Sequence, residues 1–156
     1  MALTIIQALK QIKQLGRKID RNNERIQKWC SYTSDVEPLY GQEEVRAMIQ
    51  STGDMNAEIA KLRHALHLVN ATLVVKFEEK ETTIDELLLE ATVVIPARLA
   101  TLKLLRRQEK SHYQKEEVKC IMQFDPKERD VTIDNLLDRQ GRINDFLDTL
   151  NITVML

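Results

Sequence analysis

The feature that most constrains this chain is a run of isoleucines seven residues apart: Ile5, Ile12, Ile19 and Ile26. Between them Ala8, Leu15, Asn22 and Trp29 complete a pattern that alternates steps of three and four residues. Because an α-helix turns once in about 3.6 residues, these steps hold all eight side chains on one narrow stripe. A strand would scatter them over both faces. The segment from about Leu3 to Tyr32 is therefore predicted to be one helix with a coiled-coil-like seam. Such a seam has little stability alone and needs a partner.

The partner is written next. The stretch "TSDVEPLYG", Thr33 to Gly41, concentrates residues that break a helix. Beyond it Val45, Met48, Thr52, Met55, Ile59, Leu62, Leu66, Val69 and Leu73 repeat the same alternating steps. Two matched seams across a short break predict a long antiparallel hairpin. Charge agrees with that register. Residues 1–30 carry seven Lys or Arg against Asp20 and Glu24, whereas residues 31–60 carry Asp35, Glu37, Glu43, Glu44, Asp54 and Glu58 against Arg46 alone. Glu43 and Glu44 are expected beside Arg21, Arg25 and Lys28, a modest effect because exposed ion pairs contribute about 0–1 kcal/mol each. Asn22 is the polar residue in the first seam, and such a residue commonly fixes register or oligomer number at some expense of stability.

After Asn70 the pattern changes. "TLVVKFEE" and "EVKCIMQF" (Glu117 to Phe124) are rich in β-branched and aromatic residues or alternate in polarity, and both are predicted strands. Between them Thr83 and Glu86 have the spacing of a capping box. The third helix then places Ile84, Leu88, Ala91, Ile95, Leu102 and Leu105 on one face, with a kink expected at Pro96. "FDPKERD" reads as a loop, and a fourth helix is expected to open at "VTIDNLL" and run through Ile143, Phe146, Leu147 and Leu150. Two short repeats cross this plan: Asn-x-Thr at Asn70 and Asn151, and Thr-Ile-Asp at Thr83 and Thr132. Asn tolerates the left-handed conformation that ends helices, so Asn70 and Asn151 are expected helix ends. The two matched ends are expected side by side in a small sheet.

The expected fold is mainly α: a long antiparallel coiled-coil-like hairpin over residues 1–70, then a strand–helix–strand–helix portion over 71–156. A chain of 156 residues has the length of a single domain. With 30% charged residues, only 4 Gly and 3 Pro, it has the profile of long helices rather than of a β-sandwich or a disordered chain. A net charge of −1 argues against a globally basic nucleic-acid binder.

Dispersed glycines leave no phosphate-binding loop. His64 and His67 stand three apart without a Cys pair or Glu-x-x-His to complete a metal site, and are expected to face solvent or the seam edge. Cys30 and Cys120 are too few for a disulfide framework and read most simply as buried small hydrophobes, the alternative for Cys30 in "WCSY" near the hairpin tip being an exposed, oxidisable thiol. The basic run Arg98, Lys103, Arg106, Arg107 and Lys110 reads as a solvated helix face with partners such as Glu109. No catalytic residue, metal or cofactor is expected. With no signal sequence and no apolar run near the roughly 20 residues of a membrane span, synthesis in a reducing cytosol is expected.

"LVNAT", "TIDELL", "LKLLRR" and "LNITVML" lie in an order that resembles the septicolysin-like family of small bacterial and phage-encoded proteins over most of the chain. Ile152 stands where that resemblance would place a tryptophan. The resemblance implies membrane activity of the pore-forming kind and supplies no site residues.

The residues themselves point elsewhere. Two uninterrupted seams (Ile5, Ile12, Leu15, Ile19, Asn22, Ile26 and Trp29 against Met48, Met55, Ile59, Leu62 and Leu66) without a catalytic constellation lead to a non-enzymatic structural or interaction protein. Its expected partner is a second copy of itself or a larger assembly, with a phage particle among the candidates.

Overall fold

The computed structural model describes residues 3–109 and 119–156. It divides into two compact units, one made of residues up to Thr72 with Leu150–Leu156, the other Leu73–Thr149. The division falls at the expected end of the hairpin, and the last residues of the chain return to the first unit.

In the first unit, α1 (Ile5–Trp29) and α2 (Gln42–Thr72) form the expected hairpin. Its antiparallel sense is fixed by cross-helix hydrogen bonds from Gln11 to Glu58 and from Asn22 to Thr52. α1 opens with a capping box, in which Thr4 Oγ1 accepts from the Gln7 amide and Gln7 Oε1 accepts from the Thr4 amide. The sequence carried that signal in Thr4-x-x-Gln7. At the base the chain ends close on each other: the Ile5 amide donates to the Val154 carbonyl at 3.1 Å and the Leu156 amide to the Leu3 carbonyl at 2.8 Å, around a bridge of Thr4 with Met155.

In the second unit, β1 (Val74–Phe77) pairs with β2 (Lys80–Thr83) through a two-residue turn. The turn residues Glu78 and Glu79 have φ of 47° and 66°. A tight hairpin needs this left-handed backbone, which costs a non-glycine residue about 1–2 kcal/mol. Thr83 ends β2 and caps α3 (Ile84–Leu89), with Glu86 reaching back to the Thr83 amide at 3.1 Å. A π-helical turn, Glu90–Val94, joins α3 to α4 (Ile95–Lys103), and α5 (Pro126–Thr153) closes the unit before its last turn enters the first. The core here comprises Phe77, Ile84, Leu87, Ala91, Ile95, Leu99, Leu136, Ile143 and Leu147.

Several expectations are corrected. The second strand is not at Glu117–Phe124: Glu117 and Val118 lie outside the described residues, and residues 119–124 carry no strand. β1 takes its partner from the adjacent Lys80–Thr83, a closure that loses far less loop entropy. The fourth helix starts at Pro126 and not at Thr132. Asp125 accepts from the Lys127 amide at 2.8 Å and proline follows as the first helical residue, both start signals in the stretch read as a loop. Thr132 sits inside α5, its hydroxyl donating to the Glu128 carbonyl.

Asn70 and Asn151 do not end helices either. Both lie within helices that run two residues further, to Thr72 and Thr153, and neither has a positive φ. The helix ends do not pair with each other, since β1 pairs with β2 and the C-terminal tail with Thr4. α4 stops at Lys103, so Arg106 and Arg107 lie beyond the helix and Arg106 bonds the Lys103 carbonyl instead; Lys110 lies outside the described residues.

Candidate functional site

The two seams meet in a matched register. Asn22 faces Thr52, and from that pair α1 steps back three, four, three while α2 steps forward three, four, three. This keeps Ile19 level with Met55, Leu15 with Ile59 and Ile12 with Leu62; on the other side Ile26 is level with Met48 and Trp29 with Val45. The seam thus has its one polar residue on each helix at the same level. Asn22 Nδ2 donates to Thr52 Oγ1 over a long 3.5 Å, and Thr52 Oγ1 donates to the Met48 carbonyl at 2.9 Å. A slip by one turn would set Asn22 against an apolar residue and leave its amide unpaired, so this pair penalises misalignment within the chain.

Burial along the seam is graded. Ile5, Ala8 and Leu15 on α1 and Leu66 on α2 are buried, all toward the base. Ile12, Ile19, Asn22, Ile26 and Trp29, and Met48, Met55, Ile59 and Leu62 opposite, are only half-buried. At the tip Trp29, Tyr32, Pro38 and Tyr40 surround an open concavity of 530 Å³, with Cys30 exposed beside it. Arg25 lies over the Tyr40 ring at 5.9 Å and Lys28 over the Trp29 ring at 5.4 Å. The expected pairing of Glu43 and Glu44 with Arg21, Arg25 and Lys28 is replaced by local bonds: Glu43 pairs with Arg46, and Glu44 accepts from the Gly41 amide. Among the described residues Arg21 and Arg25 make no ion pair; Arg21 bonds the Arg17 carbonyl and Arg25 stacks on Tyr40. Asp35, in the tip loop, is held below the usual carboxylate range by the Thr33 hydroxyl and then by its own backbone amide.

The second unit carries a cluster that the sequence reading did not single out. Arg139 on α5 gives Nε and Nη2 to the Glu90 carboxylate at 2.9 and 3.2 Å and Nη1 to Glu78, while its guanidinium lies 5.0 Å over the Phe77 ring. Arg142 Nε reaches the other Glu78 oxygen at 2.7 Å. Two arginines therefore hold the turn residue whose backbone is left-handed. The bidentate bond from Arg139 lowers the Glu90 pKa, and the same bond raises that of Arg139.

Beside it lies the reason for the π-helical turn. The Ile95 amide donates to the Glu90 carbonyl, one residue further back than in an α-helix. That leaves the carbonyl of buried Ala91 without its usual donor. The next amide along the chain belongs to Pro96 and has no hydrogen. Gln140 fills the gap, its side-chain amide donating to the Ala91 carbonyl at 2.6 Å. The kink expected at Pro96 is thus absorbed by a widened turn that α5 completes. The buried face differs in part from the expected one: Leu87 and Leu99 join Ile84, Ala91 and Ile95, while Leu88, Leu102 and Leu105 are half-buried.

Each side chain of this second cluster has a hydrogen-bond partner inside the unit, which marks it as structural. The hairpin is the opposite case and is the candidate interaction surface. His64 and His67 are exposed on α2, and no group of three His, Cys, Asp or Glu that could hold a metal occurs among the described residues. No described helix is long and apolar enough to cross a membrane.

No protein-family model matches the sequence, and no curated protein matches it. The fold is similar to that in a crystal structure of a functionally unknown conserved protein from Corynebacterium diphtheriae, with a TM-score of 0.71 at 16% sequence identity over 100% of this chain and 99% of that chain. At that identity the likeness carries the fold alone: a mainly α chain with a long helical hairpin and a small antiparallel sheet.

Proposed function

We propose that this is a non-enzymatic structural or interaction protein whose α1–α2 hairpin assembles with copies of itself or within a larger complex. The supporting observation is the gradient of burial along the seam. From Ile19 to the tip no seam residue on either helix is buried, although both helices keep the apolar pattern over their full length. Apolar area left in water forgoes about 25 cal/mol per Å², so an unbroken stripe that its own chain covers only in part is best satisfied by another surface. Val36, Leu39 and Ile49 add exposed apolar groups toward the same end.

A pore-forming reading gains less. The apolar face of α1 is turned to α2, so lipid would have to displace an existing partner. Light scattering of the purified chain over a range of concentrations tests the proposal: an oligomer, or a stoichiometric complex recovered from the native source, is expected. A strict monomer that also stays unassociated in native extracts would sink it. Dye release from anionic vesicles at acidic and neutral pH separates the membrane reading, which predicts leakage where assembly predicts none.

A further inference from the structure

We propose that a second copy of this chain docks antiparallel along one flank of the hairpin, its acidic tip against the basic side of α1. The inference rests on the assembly reading above and names its partner and geometry. Along that flank a groove runs between the helices. One portion, 440 Å³, is lined by Lys10, Gln14 and Lys18 with Glu58, and the next, 290 Å³, by Lys18, Arg21, Arg25 and Ser51. Lys18 lines both, so the cations follow one line of about 22 Å at 1.5 Å per residue. Lys10, Lys18, Arg21 and Arg25 make no ion pair among the described residues, and the one acid lining the groove, Glu58, already accepts from Gln11.

In a chain of net charge −1, four uncompensated cations beside an apolar seam make a local field that favours an acidic partner. The missing counter-charge stands on the same chain. Asp35, Glu37, Glu43 and Glu44 stand toward the tip; among the described residues Glu43 pairs with an exposed arginine three residues on, and Glu44 and Asp35 are engaged by local amide and hydroxyl groups. A rod that is basic along its side and acidic at its tip complements a reversed copy of itself. Each patch then meets the other through a two-fold axis, and the arrangement closes at two copies. A nucleic acid fits less well, because the acidic tip repels a polyanion and two aromatic rings toward the tip, Tyr40 and Trp29, are already covered by Arg25 and Lys28.

Sedimentation of the full chain at about 50 mM and about 500 mM NaCl, which shorten the screening length severalfold, tests this. A dimer at low salt whose dissociation constant rises at least about tenfold at high salt is expected. The double variants Lys18→Glu/Arg21→Glu and Glu43→Lys/Glu44→Lys should each be monomeric, the first with unchanged helix content and the second with at most the first turn of α2 frayed by the lost bond to the Gly41 amide. Mixed together they should form a one-to-one heterodimer, an outcome that misfolding cannot produce. A dimer indifferent to salt and to both variants overturns the docking and leaves assembly through the apolar seam standing. A monomer that instead binds a duplex oligonucleotide through Lys18 and Arg21 overturns it in favour of a polyanion. A monomer that binds neither, and stays unassociated in native extracts, overturns both readings.

Discussion

The hairpin and the Arg139 cluster solve opposite problems. In the second unit, Arg139 and Arg142 pair with Glu78 and Glu90 and Gln140 bonds the Ala91 carbonyl, in a unit whose core includes Leu87, Ile95 and Ile143, each at most 2% exposed. In the hairpin the seam is half-open toward the tip, and Lys10, Lys18, Arg21 and Arg25 on α1 make no ion pair among the described residues. Groups that are saturated within the chain have nothing left with which to recognise another molecule. Charge density alone therefore misleads: the densest ion-pair network marks a structural joint, and the sparser, unpaired charges mark the surface available for recognition.

The largest test of this contrast is to truncate one apolar residue in each place. Ile143 is fully buried, and Ile143→Ala should cost about 2–5 kcal/mol in denaturant unfolding. Ile19→Ala removes the same atoms from a half-buried site and should cost about half as much at high dilution. If assembly covers the seam, the cost of Ile19→Ala should rise with protein concentration while that of Ile143→Ala stays fixed. Equal costs at every concentration would dissolve the distinction between the two regions.

A smaller effect probes the π-helical turn. Gln140→Met keeps the side-chain volume and removes the donor to the Ala91 carbonyl, leaving a buried acceptor unpaired at about 1–3 kcal/mol. Replacing Pro96 by Ala restores an amide hydrogen in that turn, so Gln140→Met should be nearly neutral in a Pro96→Ala background. A double-mutant cycle by thermal melts measures the coupling. If the two changes add without coupling, Gln140 is not what completes the turn.

The two helix-end signals differ by less again, and they show what was legible in the sequence. Thr83 and Glu86 were readable because a capping box is local: both halves lie within four residues and bond only backbone close by. The seams were readable for a similar reason, as periodicity needs no knowledge of the partner. Asn70 gives a false signal because its tolerance for a left-handed helix end is a preference that tertiary packing can override, and α2 continues to Thr72. Its Oδ1 is left buried without a hydrogen bond. The link from Gln140 to Ala91 and the clamp from Arg139 to Glu78 span dozens of residues, and no local pattern announces them. Thr83→Ala should therefore cost about 1 kcal/mol through the lost cap. Asn70→Ala should be neutral or slightly stabilising, since no bond is lost and Ala is the better helix former. A destabilisation by Asn70→Ala matching that of Thr83→Ala would restore Asn70 as a cap.

The smallest effect is the dependence of the second unit on acid. The bidentate bond from Arg139 lowers the Glu90 pKa, and the Thr82 hydroxyl followed by the Thr83 amide lowers that of Glu86. A carboxylate with a lowered folded-state pKa binds fewer protons than in the unfolded chain, so its contribution is fully present above the ordinary glutamate value of 4.5 and is lost as pH falls through the lower folded value. In the hairpin, Asp35 is the corresponding group, and it sits in the loop away from the seam. Melting followed between neutral pH and pH 3 should therefore show the second unit losing stability below about 4.5, with Glu90→Gln flattening that slope at the expense of a lower starting stability at neutral pH. An acid-induced melt that Glu90→Gln leaves unchanged would place the sensitivity in Glu86 or Asp35 and strip the Arg139 clamp of its electrostatic role.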